Sequence, residues 1–149
     1  MSMAVEIKIK LRDEGCMPGY ALPGDAGADL FADVNAPVPI LPGERKLIPT
    51  GVWVELPPGY ELQIRSRSGL ALKDGLVVLN APGTIDSGYR GEIGVILANL
   101  DDHKAVTIRK GMRIAQAVLA PVVRAVFLPV AELSESDRGT GGFGSTGHG

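Results

Sequence analysis

Residues 52–64, Val52-Trp53-Val54-Glu55-Leu56-Pro57-Pro58-Gly59-Tyr60-Glu61-Leu62-Gln63-Ile64, decide the fold class. Apolar and polar side chains alternate on both sides of Pro57-Pro58-Gly59, and a period of two sends one set inward and the other toward solvent. The stretch reads as two strands around a turn, since proline presets φ and glycine takes conformations that other residues resist. Working outward, Val5–Leu11 alternates without a break and reads as a half-buried strand. Further strands are expected at Leu76–Leu79, Ile93–Leu97, Ala105–Ile108, Ile114–Leu119 and Val126–Val130. Pro18-Gly19 and Pro23-Gly24 mark a loop, and only Ser68–Lys73 has helical character, for one or two turns. Strands this short and evenly punctuated predict an all-β sandwich, jelly roll or barrel.

Composition agrees. A chain of 149 residues with 45% hydrophobic and 21% charged residues fits one domain with a real core. Twenty glycines and 11 prolines against 5% aromatics favour many tight turns over long helices. A net charge of −2 gives no electrostatic reason to expect a nucleic-acid polymer or an anionic membrane as partner. The single cysteine, Cys16, excludes an intrachain disulfide and a structural zinc cage. It has no neighbouring base that would argue for a nucleophile. His103 and His148 have no partner at ligand spacing and read as surface residues. No run approaches a membrane span and the first residues lack a signal-peptide core, so a cytoplasmic location is the default. The chain divides into a β domain over residues 1–133 and a Gly-rich tail over 134–149. By composition that tail cannot bury enough surface to hold itself in place.

Five stretches concentrate Asp, Arg, Ser and Gly in what read as loops. In Asp25–Leu30 a carboxylate can hold Mg²⁺ through its water shell, or can simply cap an Asx turn. Arg65–Leu70 offers a guanidinium fork, a hydroxyl and free N–H groups to a phosphate, and Ser68 can equally be a helix N-cap. Asn80–Gly91 combines an amide able to pair with a base edge, a carboxylate and an aromatic ring, or is a hairpin with a Gly-rich connection. Gln116, on a strand that otherwise reads as core, calls for a specific hydrogen-bond partner. In Arg138–Gly147 the glycines let backbone amides approach an anion, or the segment is a frayed terminus. That segment lacks the Walker A lysine, and no candidate serine sits in a GxSxG elbow.

Taken together, Ala26–Leu30 (AGADL), Ser66–Ala71 (SRSGLA), Asn80–Gly91 (NAPGTIDSGYRG), Gly111–Gln116 (GMRIAQ) and Arg138–Gly147 (RGTGGFGSTG) resemble, in order, the five motifs of the homotrimeric dUTP diphosphatases. The resemblance implies a distorted jelly-roll, β-clip-like fold and a homotrimer with active sites shared between subunits. It implies Mg²⁺-assisted hydrolysis of dUTP to dUMP and pyrophosphate, which keeps uracil out of DNA and supplies dUMP for dTMP synthesis. Carried over by position, Asp29 would hold the hydrated Mg²⁺. Arg67, Ser68 and Gly69 would contact phosphates from a second subunit, with Gln116 near the phosphate chain. Asn80, with Gly83, Thr84 and Ile85, would read the uracil edge. Tyr89 would pack under the deoxyribose and exclude a 2′-hydroxyl, and Asp86 would hold the 3′-hydroxyl and orient the attacking water. From a third subunit, Phe143 would stack on uracil while Arg138, Gly144, Ser145 and Thr146 bind the γ-phosphate end. One departure is visible: Ser66 stands where proline is more usual, which predicts a looser turn.

Two other readings compete. dCTP deaminase shares the implied fold and resembles these motifs, but it needs an acid/base glutamate after its IDxG segment. Ile96 stands at that position here, and Glu92 falls too early. A non-enzymatic trimeric binding module would not need the complete set Asp29, Arg67, Ser68, Asp86, Tyr89 and Phe143.

Overall fold

A computed structural model describes residues 3–147, so His148 lies outside the described residues. Eleven strands and one short helix follow in the order β1 (Lys8–Leu11), β2 (Ala28–Phe31), β3 (Val38–Ile40), β4 (Arg45–Pro49), β5 (Val52–Glu55), β6 (Tyr60–Arg65), α1 (Ser68–Asp74), β7 (Leu76–Val78), β8 (Gly83–Ile85), β9 (Gly94–Asn99), β10 (Val106–Ile108) and β11 (Arg113–Pro121). The fold is all-β and jelly-roll-like. A four-stranded sheet runs β2-β11-β6-β8 and a three-stranded sheet β4-β9-β7, with ribbons β1-β5 and β3-β10 beside them. Every pairing is antiparallel.

One apolar core lies between these sheets, with Leu30, Ile40, Ile48, Val52, Leu76, Ile93, Leu97, Ile108 and Ile114 at its centre. The alternation expected of 52–64 holds. Val52 and Val54 are buried beside half-exposed Trp53, and Ile64 closes the inward face of β6. The two strands do not pair with each other, however. β5 pairs with β1, while β6 pairs with β11 and β8, so Pro57-Pro58-Gly59 crosses between sheets. Residues 5–11 alternate in burial as expected, but only Lys8–Leu11 finds a partner strand.

The expectation of a strand at Val126–Val130 is corrected. Val126 and Phe127 are 95% and 90% exposed, and no strand is formed there. A strand needs a pairing edge, and this apolar segment has none on its own chain among the described residues. Strands β3 and β4 were not legible because Pro39 and Pro49 interrupt them. Both lie at sheet edges, where a missing N–H removes no ladder bond.

The buried polar groups are satisfied. The Thr50 hydroxyl donates to the Ile93 carbonyl at 2.5 Å, and Asn99 Nδ2 donates to the carbonyls of Ile40 and Lys104 at 2.9 and 2.8 Å. No helix of the described residues is long and apolar enough to cross a membrane.

Candidate active site

Asp29 lies on β2 rather than in a loop, opposite Gln116 of β11. A register shift between Arg113 and Ala115 marks a bulge in β11, which lets Ile114 and Ala115 both enter the core. The side chain of Gln116 then leaves the core face and donates through Nε2 to the Ser66 carbonyl at 2.9 Å, which is the specific partner the sequence called for. A Cβ on Gly27 would meet Gln116 Cδ at 2.9 Å, so the glycine of the first stretch leaves room for this amide.

Across the same cleft Arg67 Nε stands 3.3 Å from Asp29 Oδ1, and Arg113 Nε stands 3.7 Å from Asp29 Oδ2. Arg67 is the N-cap of α1 and makes no side-chain cap bond, and Ser68 is the first helical residue. Ser68 as N-cap is therefore corrected: its hydroxyl does not close the helix end. Nor is the turn before it left slack by Ser66. The Ser66 hydroxyl accepts the Val78 N–H at 2.9 Å, tying the turn to β7. Asp25, in the preceding loop, reaches back to accept the Leu22 N–H at 2.9 Å, a local loop-closing bond rather than an Asx turn. Asp25, Gly27, Asp29, Arg67, Ser68, Gly69 and Gln116 line a cleft of about 330 Å³.

The third stretch builds a second cleft, of about 290 Å³, that shares no residue with the first. Thr84, Ile85, Asp86 and Tyr89 line it, with Glu92 and Ile96 opposite. β8 pairs with β6, so Gly83 sits against Ile64, and a Cβ on Gly83 would meet Asn80 Nδ2 at 3.2 Å and Ile64 Cβ at 3.3 Å. Asn80 is thereby beside the backbone of β8. Asp86 is exposed, and the turn after it is closed by the Tyr89 N–H donating to the Asp86 carbonyl at 3.1 Å. Ile96 presents no ionisable group to this cleft, and Glu92 is bound to Arg12 and to the Gly51 N–H at 2.9 Å each.

The fifth stretch meets neither cleft. Phe143 is fully exposed, and the polar contacts of the segment are internal, such as Arg138 Nε to the Gly141 carbonyl at 2.8 Å. Ser145 contributes its N–H to the Gly142 carbonyl at 3.1 Å, and neither Gly144 nor Thr146 reaches the body of the chain.

A network that sequence reasoning missed joins the second cleft through Glu92. Buried Asp33 accepts from Lys110 at 2.7 Å and from Arg12, and these bonds, Lys110 first, hold its carboxyl below the usual carboxylate range. Burial pushes the nearby Cys16 thiol up, which keeps it protonated and inert. Asp13, Cys16 and Asp33 bring ligand atoms within 4.8 Å of one another, but Asp33 is already matched by two cations. The group is an ion-pair network, and its members lie too far apart in sequence for a motif to reveal them.

Residues 13–147 match the dUTPase family model. The chain belongs to the dUTPase family. It is 58% identical over 139 residues to the deoxyuridine 5′-triphosphate nucleotidohydrolase of Chlamydia pneumoniae, covering 93% of this chain and 95% of that one. It superposes on the Staphylococcus bacteriophage 80alpha dUTPase with dUPNHPP at a TM-score of 0.84 and 32% identity, covering 97% of this chain and all of the other. A variant of the dUTPase from S. aureus phage phi11, described for its coordination of a structural Mg(II) ion, matches at a TM-score of 0.76 and 27% identity. That likeness covers 88% of this chain and 100% of the phage protein.

Proposed function

We propose that this dUTPase-family chain hydrolyses dUTP to dUMP and pyrophosphate by direct attack of water on the α-phosphorus. One observation carries the mechanism. The phosphate-type groups and the sugar-type groups occupy two clefts with no lining residue in common, an arrangement that suits a nucleotide held between clefts of different copies of the chain. A homotrimer with sites at its interfaces satisfies this. The exposed apolar arm after β11, which includes Val123, Val126, Phe127 and Leu128, supports such an assembly, since an apolar run of this size seeks cover.

In that site Asp86 accepts a hydrogen bond from the attacking water, so that the water's lone pair faces the α-phosphorus, and it also holds the 3′-hydroxyl. As the new P–O bond forms, the bond to the α,β-bridging oxygen breaks and pyrophosphate leaves, with no covalent enzyme intermediate. Arg67, Ser68, Gly69 and Gln116 of a second copy bind phosphate oxygens, and the Asp29 carboxylate 3.3 Å from Arg67 is a counter-charge too distant to tie the guanidinium up. Asn80 with the backbone of Gly83, Thr84 and Ile85 reads the uracil edge, and Tyr89 lies beneath the deoxyribose. The body, residues 1–133, supplies these groups. The tail, residues 134–149, comes from a third copy and closes over the nucleotide. Phe143 then stacks on the base while Arg138, Gly144, Ser145 and Thr146 meet the γ-phosphate end. Positioning and electrostatics are the main demands of such a displacement.

The donor set of the first cleft fits magnesium. Asp29 offers oxygen ligands, and its contacts to Arg67 and Arg113, at 3.3 and 3.7 Å, are too long to be good hydrogen bonds. Its lone pairs remain available to water, as suits an ion that keeps its hydration shell and binds few carboxylates directly. Asp29 would hold a hydrated Mg²⁺ through its waters, and the ion would supply positive charge to offset that of the phosphate oxygens.

Incubation with each dNTP and Mg²⁺, with products resolved as mono- and pyrophosphate, should give cleavage of dUTP alone. Release of ammonia from dCTP would overturn the reading in favour of a deaminase. Light scattering should show a trimer, and an active monomer would overturn the shared site.

A further inference from the structure

We infer that Gly91 sets the sugar selectivity of this site by leaving room for the Tyr89 ring, an inference that rests on the reading of Tyr89 as the residue beneath the deoxyribose. The ring does not project freely. It folds back along its own turn, and its hydroxyl donates to the Glu92 carbonyl at 2.9 Å. The Glu92 side chain is itself tied down. Oε1 accepts from Arg12 Nη2 and Oε2 from the Gly51 N–H, both at 2.9 Å, and Arg12 reaches on to buried Asp33. The acceptor for the Tyr89 hydroxyl is therefore fixed to the core at several points.

The ring packs directly over Gly91, which precedes the acceptor in the chain. A Cβ built there would meet Tyr89 Cζ at 2.6 Å and Cε1 at 2.9 Å, and the phenolic oxygen still closer. Atoms do not approach so closely, so the ring holds this position only because residue 91 has no side chain. The backbone makes no such demand, since Gly91 is not among the residues with positive φ. Tyr89 is 44% exposed, so a methyl group at 91 swings the ring outward without breaking the turn. The floor beneath the sugar is then gone, and a 2′-hydroxyl fits where the ring had stood.

The test is the ratio of kcat/KM for dUTP to that for UTP in Gly91→Ala, Tyr89→Ala and the double variant, with thermal melts of each. Gly91→Ala should lower the ratio at least tenfold while the melting temperature stays within a few degrees of wild type. Tyr89→Ala should lower it as much, and the double variant should show no further loss, because both changes remove the same floor. If Tyr89→Ala loses selectivity and Gly91→Ala keeps it, the inference about Gly91 is wrong while the role of Tyr89 stands. If Tyr89→Ala keeps selectivity, both fall. Should Gly91→Ala fail to fold, the double variant decides, since it has no ring to meet. Folding of the double supports a clash with Tyr89, and failure of both overturns it.

Discussion

The buried apolar core is drawn almost wholly from the stretch between β2 and β11, and beyond Pro121 no described apolar side chain is buried. Leu30, Ile40 and Leu97 are completely buried, whereas Val123, Val126 and Phe127 are at least 90% exposed. Hydropathy does not separate these groups; access to a pairing edge does. In the body, strands from distant parts of the sequence close on one another, so each side chain added to the core strengthens the rest. Beyond Val122, whose N–H still reaches the Gly59 carbonyl, the backbone hydrogen bonds span three residues, as from Gly139 N–H to the Ser136 carbonyl, and they cannot offset the cost of ordering a Gly-rich backbone. The candidate site draws on both regions. Asp29 stands on β2, Arg67 caps α1 and Asp86 follows β8 directly, while Arg138, Phe143, Ser145 and Thr146 stand on an exposed segment that would, as proposed, be held by ligand or another copy.

The largest expected effect belongs to the body. Asp86→Asn keeps shape but removes the charge that orients water, so kcat should fall by about 10²–10⁴-fold. Affinity for a non-hydrolysable dUTP analogue, measured by calorimetry, should be largely kept. An unimpaired rate would mean that another group positions the nucleophile. A chain ending at Asp137 tests the other region. It loses none of the core cluster, so it should fold and assemble as before. Its turnover of dUTP should still drop by about tenfold or more, as loss of a closing lid implies. Full activity in that truncated chain would erase the distinction drawn here and leave the tail a frayed terminus.

The same division decides what the sequence could reveal. Period-two patterns in 52–56, 60–64 and 114–119 give strands because the buried face is written in the residues themselves. Pairing is not so written, which is why β5 and β6 look like a hairpin and belong to different sheets. Val126–Val130 fails for a related reason. Its apolar side chains are legible, but their partner is not on this chain among the described residues. The site stretches were readable as motifs because each is contiguous. The Arg12, Asp33, Glu92 and Lys110 network was not, because its members meet only after folding.

That network gives the next effect in size. Asp33 is buried with its carboxyl held low, first by Lys110 and then by Arg12. A depressed folded-state pKa stabilises the protein above the unfolded value, about 3.9 for Asp, and that contribution is lost as pH falls below it. Asp33→Asn should therefore cost about 1–3 kcal/mol near neutral pH, since its cations are half-exposed and can return to water. The gap between wild-type and variant melting temperatures should be constant above roughly pH 5 and close toward pH 3. A gap that is independent of pH would mean the loss is steric, not electrostatic.

The smallest expected effect lies at Ser66, beside the first cleft. Ser66 has two separate jobs in the fold. Its hydroxyl accepts the N–H of buried Val78, and its carbonyl accepts Gln116 Nε2, both at 2.9 Å. A proline at 66 has no hydroxyl to offer Val78, so this chain restrains the turn with a side-chain hydrogen bond where a ring would do so by its fixed φ. Ser66→Ala removes the first bond and leaves the second. The unpaired N–H should cost about 1 kcal/mol, the low end for a lost partner, because the site is only partly buried. Gln116 keeps its carbonyl, so the phosphate groups stay close to their places. KM for dUTP should then rise by about two- to threefold with kcat unchanged, as expected when ground state and transition state lose the same contact. Wild-type KM together with wild-type stability would show the hydroxyl to be idle. A fall in kcat beyond about tenfold would mean that the turn at Ser66 is tuned to the transition state, and that even the best-packed part of the site is less settled than its hydrogen bonds indicate.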